Sequence, residues 1–256
     1  MTMKTIINKV RFKKENLNSW KHNTKFWLNN PLRQVEDTKV FFKGKLKSVI
    51  KPGMAIIDMG CGSGWLLEFI LELNIPFSYI GLDFNPSFIK HLKAKYSHLP
   101  NVSFEIIDFE KRIPQRYRHR ADIVFNCFVF FEIANLTAAF DGAVDMLKPC
   151  GRLIIFTIDY TYLILALSHS MKEFKTYLKL YERMKSKNKA PYFFQNIDLG
   201  NSESKNLKYA SVLYSLDDFY KQAKKHEMSL FDYGEVVKTS KYLPKTYQYM
   251  LFAKSA

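Results

Sequence analysis

Residues 56–64 could form a loop whose backbone contacts a ligand directly. They read Ile-Ile-Asp-Met-Gly-Cys-Gly-Ser-Gly, an apolar strand that runs into an acid, Asp58, and then three alternating glycines. Because glycine has no side chain, a ligand can approach such a loop closely. Residues 65–71 have the pattern of a helix, whose free N–H groups would point back at the loop. A tight turn from strand to helix would also use this pattern, so the loop alone does not identify a site.

Two further apolar runs end in an acid, as the first one does. Nineteen residues after Gly64 the run that includes Tyr79 ends in Asp83, and the run from Val102 ends in Asp108. In nucleotide-binding sheets an acid at about this distance from the glycines binds ribose hydroxyls. One such acid could be a helix cap. Three acids at successive strand ends favour one elongated ligand that lies across adjacent strand ends.

Residues 55–156 resemble the core of class I S-adenosylmethionine-dependent methyltransferases. The glycines of residues 58–64 alternate, whereas a dinucleotide site spaces the last glycine one residue further on. Residues 141–156 match the helix, turn and fifth strand of these enzymes, with Cys150 where the family usually has the first glycine of Pro-Gly-Gly. The resemblance implies an α/β fold with a Rossmann-like, doubly wound, seven-stranded sheet, mostly parallel with an antiparallel final strand.

The resemblance also implies where the cofactor, S-adenosylmethionine, would lie. Gly60 and Gly62 would pass its methionine moiety, with Cys61 between them on the loop. Asp58 would order the loop beneath the sulfonium, and Asp83 would hold both ribose hydroxyls. Four further contacts are implied: Phe84 against the adenine face, Asp108 at the adenine amino group, Phe109 beside it, and Asn126 near the methionine amine.

An acid, Glu132, stands where many small-molecule methyltransferases carry a histidine just after the fourth strand. It follows Phe130 and Phe131 near the implied site of the methyl acceptor. A carboxyl group in an apolar pocket has a raised pKa, so Glu132 could act as a base or bind a cationic amine. A solvent-facing or capping glutamate is the alternative. Asp159 or Tyr160, at the end of the fifth strand, is the second candidate base, although Asp159 could equally cap a loop.

The two flanks of this core are expected to determine the acceptor. Residues 1–50 form an N-terminal segment whose residues 20–28 are too aromatic for a plain tail. In related enzymes such a segment folds over the cofactor as a lid, and packing in the core is the alternative. Residues 51–256 would form the Rossmann-like domain, with an insertion of about residues 160–214 after the fifth strand that caps the acceptor pocket. The candidate substrate-binding residues of this cap are Tyr160, Tyr192 and Phe193.

Hydrophobic periodicity places the remaining elements. It predicts helices at residues 35–49, 171–181 and 216–226, of which the second is amphipathic with a basic side. Residues 229–237 and 247–253 resemble the antiparallel strand pair that ends this fold. Within the insertion, residues 185–189 and 200–208 have the composition of loops.

Length and composition exclude several classes of protein. A chain of 256 residues that is 47% hydrophobic and 16% aromatic can bury one substantial core. No apolar run approaches the roughly 18 residues of a membrane helix, and the short apolar start predicts no cleaved signal peptide. Cys61, Cys127 and Cys150 are expected to be reduced core residues of a cytoplasmic protein. Neither they nor the six histidines have the spacing of metal ligands, so no metal is predicted.

The leading functional prediction is an enzyme that transfers a methyl group to a small organic acceptor. O- or N-methylation would proceed by in-line displacement and leave S-adenosylhomocysteine as product. The net charge of +15 supports an alternative, an RNA or protein methyltransferase that uses a basic surface. Peripheral contact of the basic helix with a membrane is a further alternative, with no transmembrane segment. The third function considered is a catalytically silent cofactor-binding subunit that works through a partner.

Overall fold

The computed structural model describes residues 6–7, 9–29, 39–158, 171–186, 192–197, 207–239 and 244–254. Within these residues the chain forms two β-sheets, one of seven strands and one of three. The strands are β1 (Ile6–Ile7), β2 (Met54–Met59), β3 (Phe77–Asp83), β4 (Val102–Ile106), β5 (Ala121–Cys127), β6 (Leu147–Ile158), β7 (Tyr192–Ile197), β8 (Leu207–Val212), β9 (Ser229–Thr239) and β10 (Pro244–Ala253).

The larger sheet has the strand order β4-β3-β2-β5-β6-β10-β9. Neighbouring strands from β4 to β6 pair in parallel, and β10 pairs antiparallel with both β6 and β9. Six strands therefore run in one direction and β10 runs against them, which confirms the expected Rossmann-like sheet. The chain order reverses between β2 and β5. Such a switch point opens a crevice at the carboxyl ends of the two strands.

Helices cover both faces of this sheet. The helices expected at residues 65–71, 171–181 and 216–226 are present, and the last of them ends one residue early. The helix expected from residue 35 is described from Lys39 onward. No helix in the described ranges is long and apolar enough to cross a membrane. The helices are α1 (Lys9–Asn29), α2 (Lys39–Val49), α3 (Trp65–Leu71), α4 (Pro86–Lys95), α5 (Leu136–Met146), α6 (Met171–Lys185) and α7 (Leu216–Lys225).

Hydrophobic side chains from these helices form a core on each face of the sheet. Leu46 of α2, Leu67 of α3 and Leu92 of α4 are buried on one face. Phe140 of α5 and Phe219 of α7 are buried on the other. These five helices present apolar side chains to the sheet, as a layered α/β fold requires. The two layers bury both faces of the sheet, whose carboxyl edge carries the loops described below.

Three local predictions are wrong. Lys185 ends helix α6 and does not begin a loop. Leu207 and Lys208 begin strand β8 and are not part of a loop, because β8 pairs with β7 and β7 pairs with Ile6 and Ile7. That small sheet joins segments far apart in the chain, so local composition does not signal it. Cys150 is exposed and not in the core. Its φ of +60° explains why a glycine is usual at this position of the turn.

Candidate active site

The glycine loop bends sharply at the carboxyl end of β2. Gly60 and Gly62 have φ of +88° and +50°, a region that glycine adopts without strain. The backbone N–H groups of Gly60 and Cys61 both donate to the carbonyl oxygen of Leu82, at 2.7 and 3.0 Å. A Cβ atom on Gly60 would lie 2.2 Å from the side chain of Val129, whereas one on Gly62 would meet no atom of the described residues within 4 Å. Gly62 therefore faces open space.

Asp83, at the end of β3, holds this loop against the start of α4. One of its carboxylate oxygens accepts from the backbone N–H of Gly62 at 2.9 Å, and the other accepts from that of Asn85 at 2.8 Å. Burial raises the pKa of Asp83 to about 6, although these N–H groups act to lower it. The side chain of Asn85 caps α4 and donates to Thr24 of α1 at 2.8 Å. Asp83 thus stands where three elements meet.

A cavity lies in front of this loop, beneath α1. Gly60, Gly62 and Asp83 form one wall of it, and Glu132 lines it from the segment after β5. Trp20 of α1 closes the cavity from above and packs edge to face on Phe88, with ring centroids 5.7 Å apart. Further aromatic side chains belong to the described lining, which also includes Ser63, Cys127 and Val129: Trp27, Trp65, Phe84, Phe109 and Phe128.

A second cavity adjoins the first. Asp108 and Phe109, which follow β4, line it on one side, and α1 lines it on the other with Phe12, Asn16 and Leu17. The two cavities share four lining residues. The shared residues are Phe84, Phe109, Val129 and Glu132. The structure therefore brings the acid and the two aromatic residues expected at an adenine base to one place, next to the loop and acid expected at the rest of a nucleoside.

Glu132 is 8% exposed and belongs to a short 3-10 turn, Phe130–Glu132. Its Oε2 atom accepts a hydrogen bond from the indole N–H of Trp20, and its backbone oxygen accepts from the side chain of Asn16. Its Oε1 atom is buried and has no hydrogen-bond partner among the described residues. Burial raises the pKa of Glu132 well above its usual range, whereas the Trp20 bond acts to lower it. The capping or solvent-facing alternative does not fit this environment.

Three of the expected cofactor residues point into the protein interior. Asp58, Cys61 and Asn126 are buried and are not among the described residues that line either cavity. The side-chain oxygen of Asn126 accepts from the backbone N–H of Phe130 at 3.2 Å. Asn126 thus orders the segment that carries Glu132. Direct contact of these three residues with a cofactor stays a prediction.

Asp58 forms a buried pair with a residue that the sequence did not single out. The hydroxyl of Tyr79 donates to its Oδ2 atom at 2.6 Å, while its Oδ1 atom has no hydrogen-bond partner in the described part of the chain. Burial raises the pKa of Asp58 to about 7, despite the hydrogen bond from Tyr79. In the folded protein the Asp58 carboxyl group therefore changes from protonated to ionised near neutral pH.

This raised pKa predicts a pH dependence of stability. An unfolded aspartate titrates near about pH 3.9, and the folded value is about 7. Stability from Asp58 is therefore fully present below about pH 4 and is lost as the pH rises through 7. We expect urea unfolding of the ligand-free protein to show a free energy that falls over this range. Asp58→Asn should flatten the fall by a few kcal/mol at most.

Asp122→Asn is the matched control for Asp58→Asn. The Lys148 ammonium 2.8 Å away and the backbone N–H of Ala55 hold the pKa of Asp122 below its usual range, despite partial burial. Its stability contribution is therefore present above its unfolded pKa and is lost as the pH falls. The control should leave the fall between pH 4 and 7 in place. A slope in Asp58→Asn equal to that of the unchanged protein would contradict the assignment.

The remaining expected residues lie at the end of the fifth strand and in the insertion that follows it. Asp159 and Tyr160 lie outside the described residues. Tyr192 and Phe193 lie in β7, which packs with β8 against α1, and β8 also contacts the turn that carries Glu132. The small sheet thus stands beside the two cavities. The catalytic and substrate-binding roles of these four residues stay predictions.

Sequence reasoning missed part of the aromatic wall. Phe128 directly follows β5, so the expected strand end was a signal that it faces the site. It has a φ of +62°, which is rare for a bulky residue and common where a site constrains the backbone. Trp65 and Phe88 lie one turn or less into helices that begin at the site, and nothing in their spacing distinguished them from core residues.

The fold and the site define a class of protein. An open α/β sheet with a glycine loop after its first core strand, a buried acid after the next, and cavities at the switch point is a nucleoside-binding Rossmann-like domain. A family model described as "Methyltransferase domain" matches residues 50–234. The chain belongs to this family and is a class I S-adenosylmethionine-dependent methyltransferase.

Individual relatives agree with the family at lower coverage. Malonyl-[acyl-carrier protein] O-methyltransferase 2 of Ilyobacter polytropus is 37% identical over 103 residues, which are 40% of this chain and 38% of that protein. The 5-methylorsellinic acid synthase of Aspergillus terreus is 27% identical over 109 residues, 41% of this chain and 4% of that protein. The chain thus spans well under half of the length of these curated relatives.

A solved structure resembles the fold over most of the chain. It is an S-adenosylmethionine-dependent methyltransferase from Methanosarcina mazei, with a TM-score of 0.61 and 12% sequence identity. The match covers 82% of this chain and 96% of the other. At this identity the likeness concerns the fold alone.

Proposed function

We propose that this protein transfers a methyl group from S-adenosylmethionine to a small organic acceptor. The observation that carries the proposal is the pair of adjoining cavities that share Phe84, Phe109, Val129 and Glu132. In this assignment the adenine lies in the cavity of Asp108 and Phe109. The ribose lies at Asp83, and the methionine moiety lies along Gly60 and Gly62. When bound, the cofactor supplies an electrophilic methyl group on a good leaving group.

The residues of the chain supply position and exclusion of water. The oxygens of Asp83 accept from two backbone N–H groups and retain lone pairs that can accept from ribose hydroxyls. Gly62 leaves open space in front of its backbone. The tryptophan rings exclude water from the space beside the loop. Orientation of this kind can contribute about 7–11 kcal/mol to the lowering of a barrier.

We also propose that residues 1–50 include a lid and that the insertion of about residues 160–214 caps the acceptor. Helix α1 supports the first idea, because Trp20 donates to Glu132, which lines both cavities, and Thr24 accepts from Asn85, which is bonded to Asp83. The small sheet beside α1 supports the second. Hydrogen exchange measured with and without S-adenosylhomocysteine tests the lid. Exchange in residues 9–29 that does not change on binding would argue against it.

The proposed function is tested by titration and turnover on the same preparation. S-adenosylmethionine and S-adenosylhomocysteine should both bind in a calorimeter, and a panel of small amines, phenols and alcohols should include methylated products. A failure to bind either compound would end the proposal. Binding without turnover on any acceptor would favour a silent subunit. Affinity for RNA that collapses with added salt, together with RNA methylation, would favour the nucleic-acid alternative.

A further inference from the structure

We propose that the acceptor is a basic amine, bound as a cation by Glu132 among the aromatic rings of the first cavity. This inference rests on the proposed function and names its acceptor class. It follows from three features of the described residues: the charges that line the cavity, the free oxygen of Glu132, and the rings around it.

The cavity has a charge opposite to that of the whole chain. The protein has a net charge of +15. Among the described residues that line the first cavity, the carboxylic acids are Asp83 and Glu132. No lysine, arginine or histidine is present among them. In the adjoining cavity the cation is Lys13, which is paired with Glu110. With Asp83 assigned to the ribose, an anionic acceptor would meet the Glu132 carboxyl group without a free cation in the described lining.

Glu132 is the carboxylate with an oxygen to spare. Both oxygens of Asp83 accept from backbone N–H groups of the loop and of α4. In Glu132 one oxygen accepts from Trp20, whereas Oε1 is buried without a hydrogen-bond partner among the described residues. A buried acceptor without a donor destabilises the protein. An ammonium N–H group at Oε1 would remove that deficit and pair the charge.

The rings around Glu132 also favour a cation. Trp20 and Trp27 of α1 and Trp65 of α3 line the same cavity, together with Phe88 and Phe128. The faces of aromatic rings attract positive charge, and tryptophan does so most strongly. An aromatic lining stabilises a desolvated cation, whereas a purely aliphatic lining would not. The hydrogen bond from Trp20 orients the Glu132 carboxyl group, so the ammonium group of an acceptor would bind at one defined position in the cavity.

The protons of the reaction balance on Glu132. An ammonium acceptor, R–NH₃⁺, enters and transfers one proton to the Glu132 carboxylate, which leaves a neutral amine. The nitrogen lone pair then forms a bond to the methyl carbon as the carbon–sulfur bond breaks, and that electron pair stays on sulfur. The product is R–NH₂⁺–CH₃. The proton on Glu132 leaves to water when the product departs. Burial raises the pKa of Glu132, which supports its role as proton holder.

The test measures ligand binding to protein saturated with S-adenosylhomocysteine. Each probe set holds one ring and one chain length and varies the charge, for example benzylamine, benzyl alcohol and benzoate, with phenylethyl and phenylpropyl sets beside it. In at least one set the amine should bind about tenfold or more tighter than the alcohol, and the carboxylate should bind weakest. The inference is overturned if no set shows this order.

Glu132→Gln provides the second arm. It should weaken binding of the best amine by about 30-fold or more, the scale expected when one partner of a buried charge pair is removed. Binding of the matching alcohol should change little, and Glu132→Asp should restore part of the amine preference. Asp217→Asn is the matched control, because Asp217 is an exposed acid paired with Lys221 on α7. Equal amine affinity in Glu132→Gln and in the unchanged protein would also overturn the inference.

Two further outcomes keep this inference separate from the proposed function. If the unchanged protein does not bind S-adenosylhomocysteine, the proposed function fails before the amine question arises. If it binds that compound but shows no preference for amines, the amine inference alone fails. Should Glu132→Gln not fold, the probe sets on the unchanged protein still decide. If Glu132→Gln abolishes methylation of a phenol but does not change the affinity for that phenol, Glu132 is a base for hydroxyl acceptors. The amine assignment would then be wrong.

Discussion

Asp83→Ala is expected to lower the affinity for S-adenosylmethionine by about 100-fold or more while the protein still folds. The substitution removes a carboxylate that orders the glycine loop through Gly62 and the start of α4 through Asn85. It also removes the proposed acceptor for two ribose hydroxyls. Hydrogen bonds to a charged group contribute about 1.5–3 kcal/mol each, so the loss of two accounts for this magnitude.

Calorimetric titration measures the effect of Asp83→Ala, and thermal unfolding shows that the variant is folded. Asp122→Asn is the matched control, since Asp122 also accepts from a backbone N–H, that of Ala55 at 2.7 Å, but lies at the amino end of β5. The control should bind the cofactor as the unchanged protein does. Cofactor affinity that survives in Asp83→Ala would exclude the ribose assignment.

The two loop glycines should respond differently to the same added methyl group. In Gly60→Ala the new Cβ would lie 2.2 Å from Cγ2 of Val129 and 3.0 Å from its Cβ, so rotation of the valine cannot relieve the clash. With the positive φ of +88° we expect a loss of about 2–4 kcal/mol in the free energy of unfolding. Gly62→Ala meets open space and should cost about 1 kcal/mol for its left-handed backbone.

The smaller loss of stability in Gly62→Ala should not mean a smaller effect on cofactor affinity. Gly62→Ala should fold well and yet bind S-adenosylmethionine at least about tenfold more weakly, because its methyl group enters the space assigned to the methionine moiety. Urea unfolding and titration on both variants separate the two effects. A Gly62→Ala protein with unchanged cofactor affinity would show that the loop does not line the site.

The cofactor half of the site could be anticipated because its signals are local. An apolar run that ends in an acid, followed by glycines or by a helix start, predicts a strand end wherever it occurs. Asp83 and Asp108 were found in this way, whereas Phe84 and Phe109 were implied by the family resemblance, and the structure places all four around two adjoining cavities. The parallel order of the strands then determines that their ends share one edge of the sheet.

The acceptor half could not be anticipated, because its contacts join distant parts of the chain. The bond from Trp20 to Glu132 spans 112 residues of sequence, and no local pattern predicts such a pair. Glu132 could be named as an acid near the site, but the free Oε1 atom depends on which neighbours reach it. The inward position of Asp58 depends on Tyr79, which its strand pattern marked only as a buried residue.

The sign of the charge in the first cavity bears on how a catalytic cycle would end. We infer that a lining of carboxyl groups and aromatic rings, with no cation among its described residues, discriminates between a sulfonium compound and its thioether. The thioether product lacks the positive charge that those groups attract. Its dissociation constant should therefore be larger than that of the sulfonium compound. Feedback by the by-product would then be weak, and the ratio of the two dissociation constants measures it directly. A thioether that binds more tightly than the sulfonium would show that this cavity does not make that distinction.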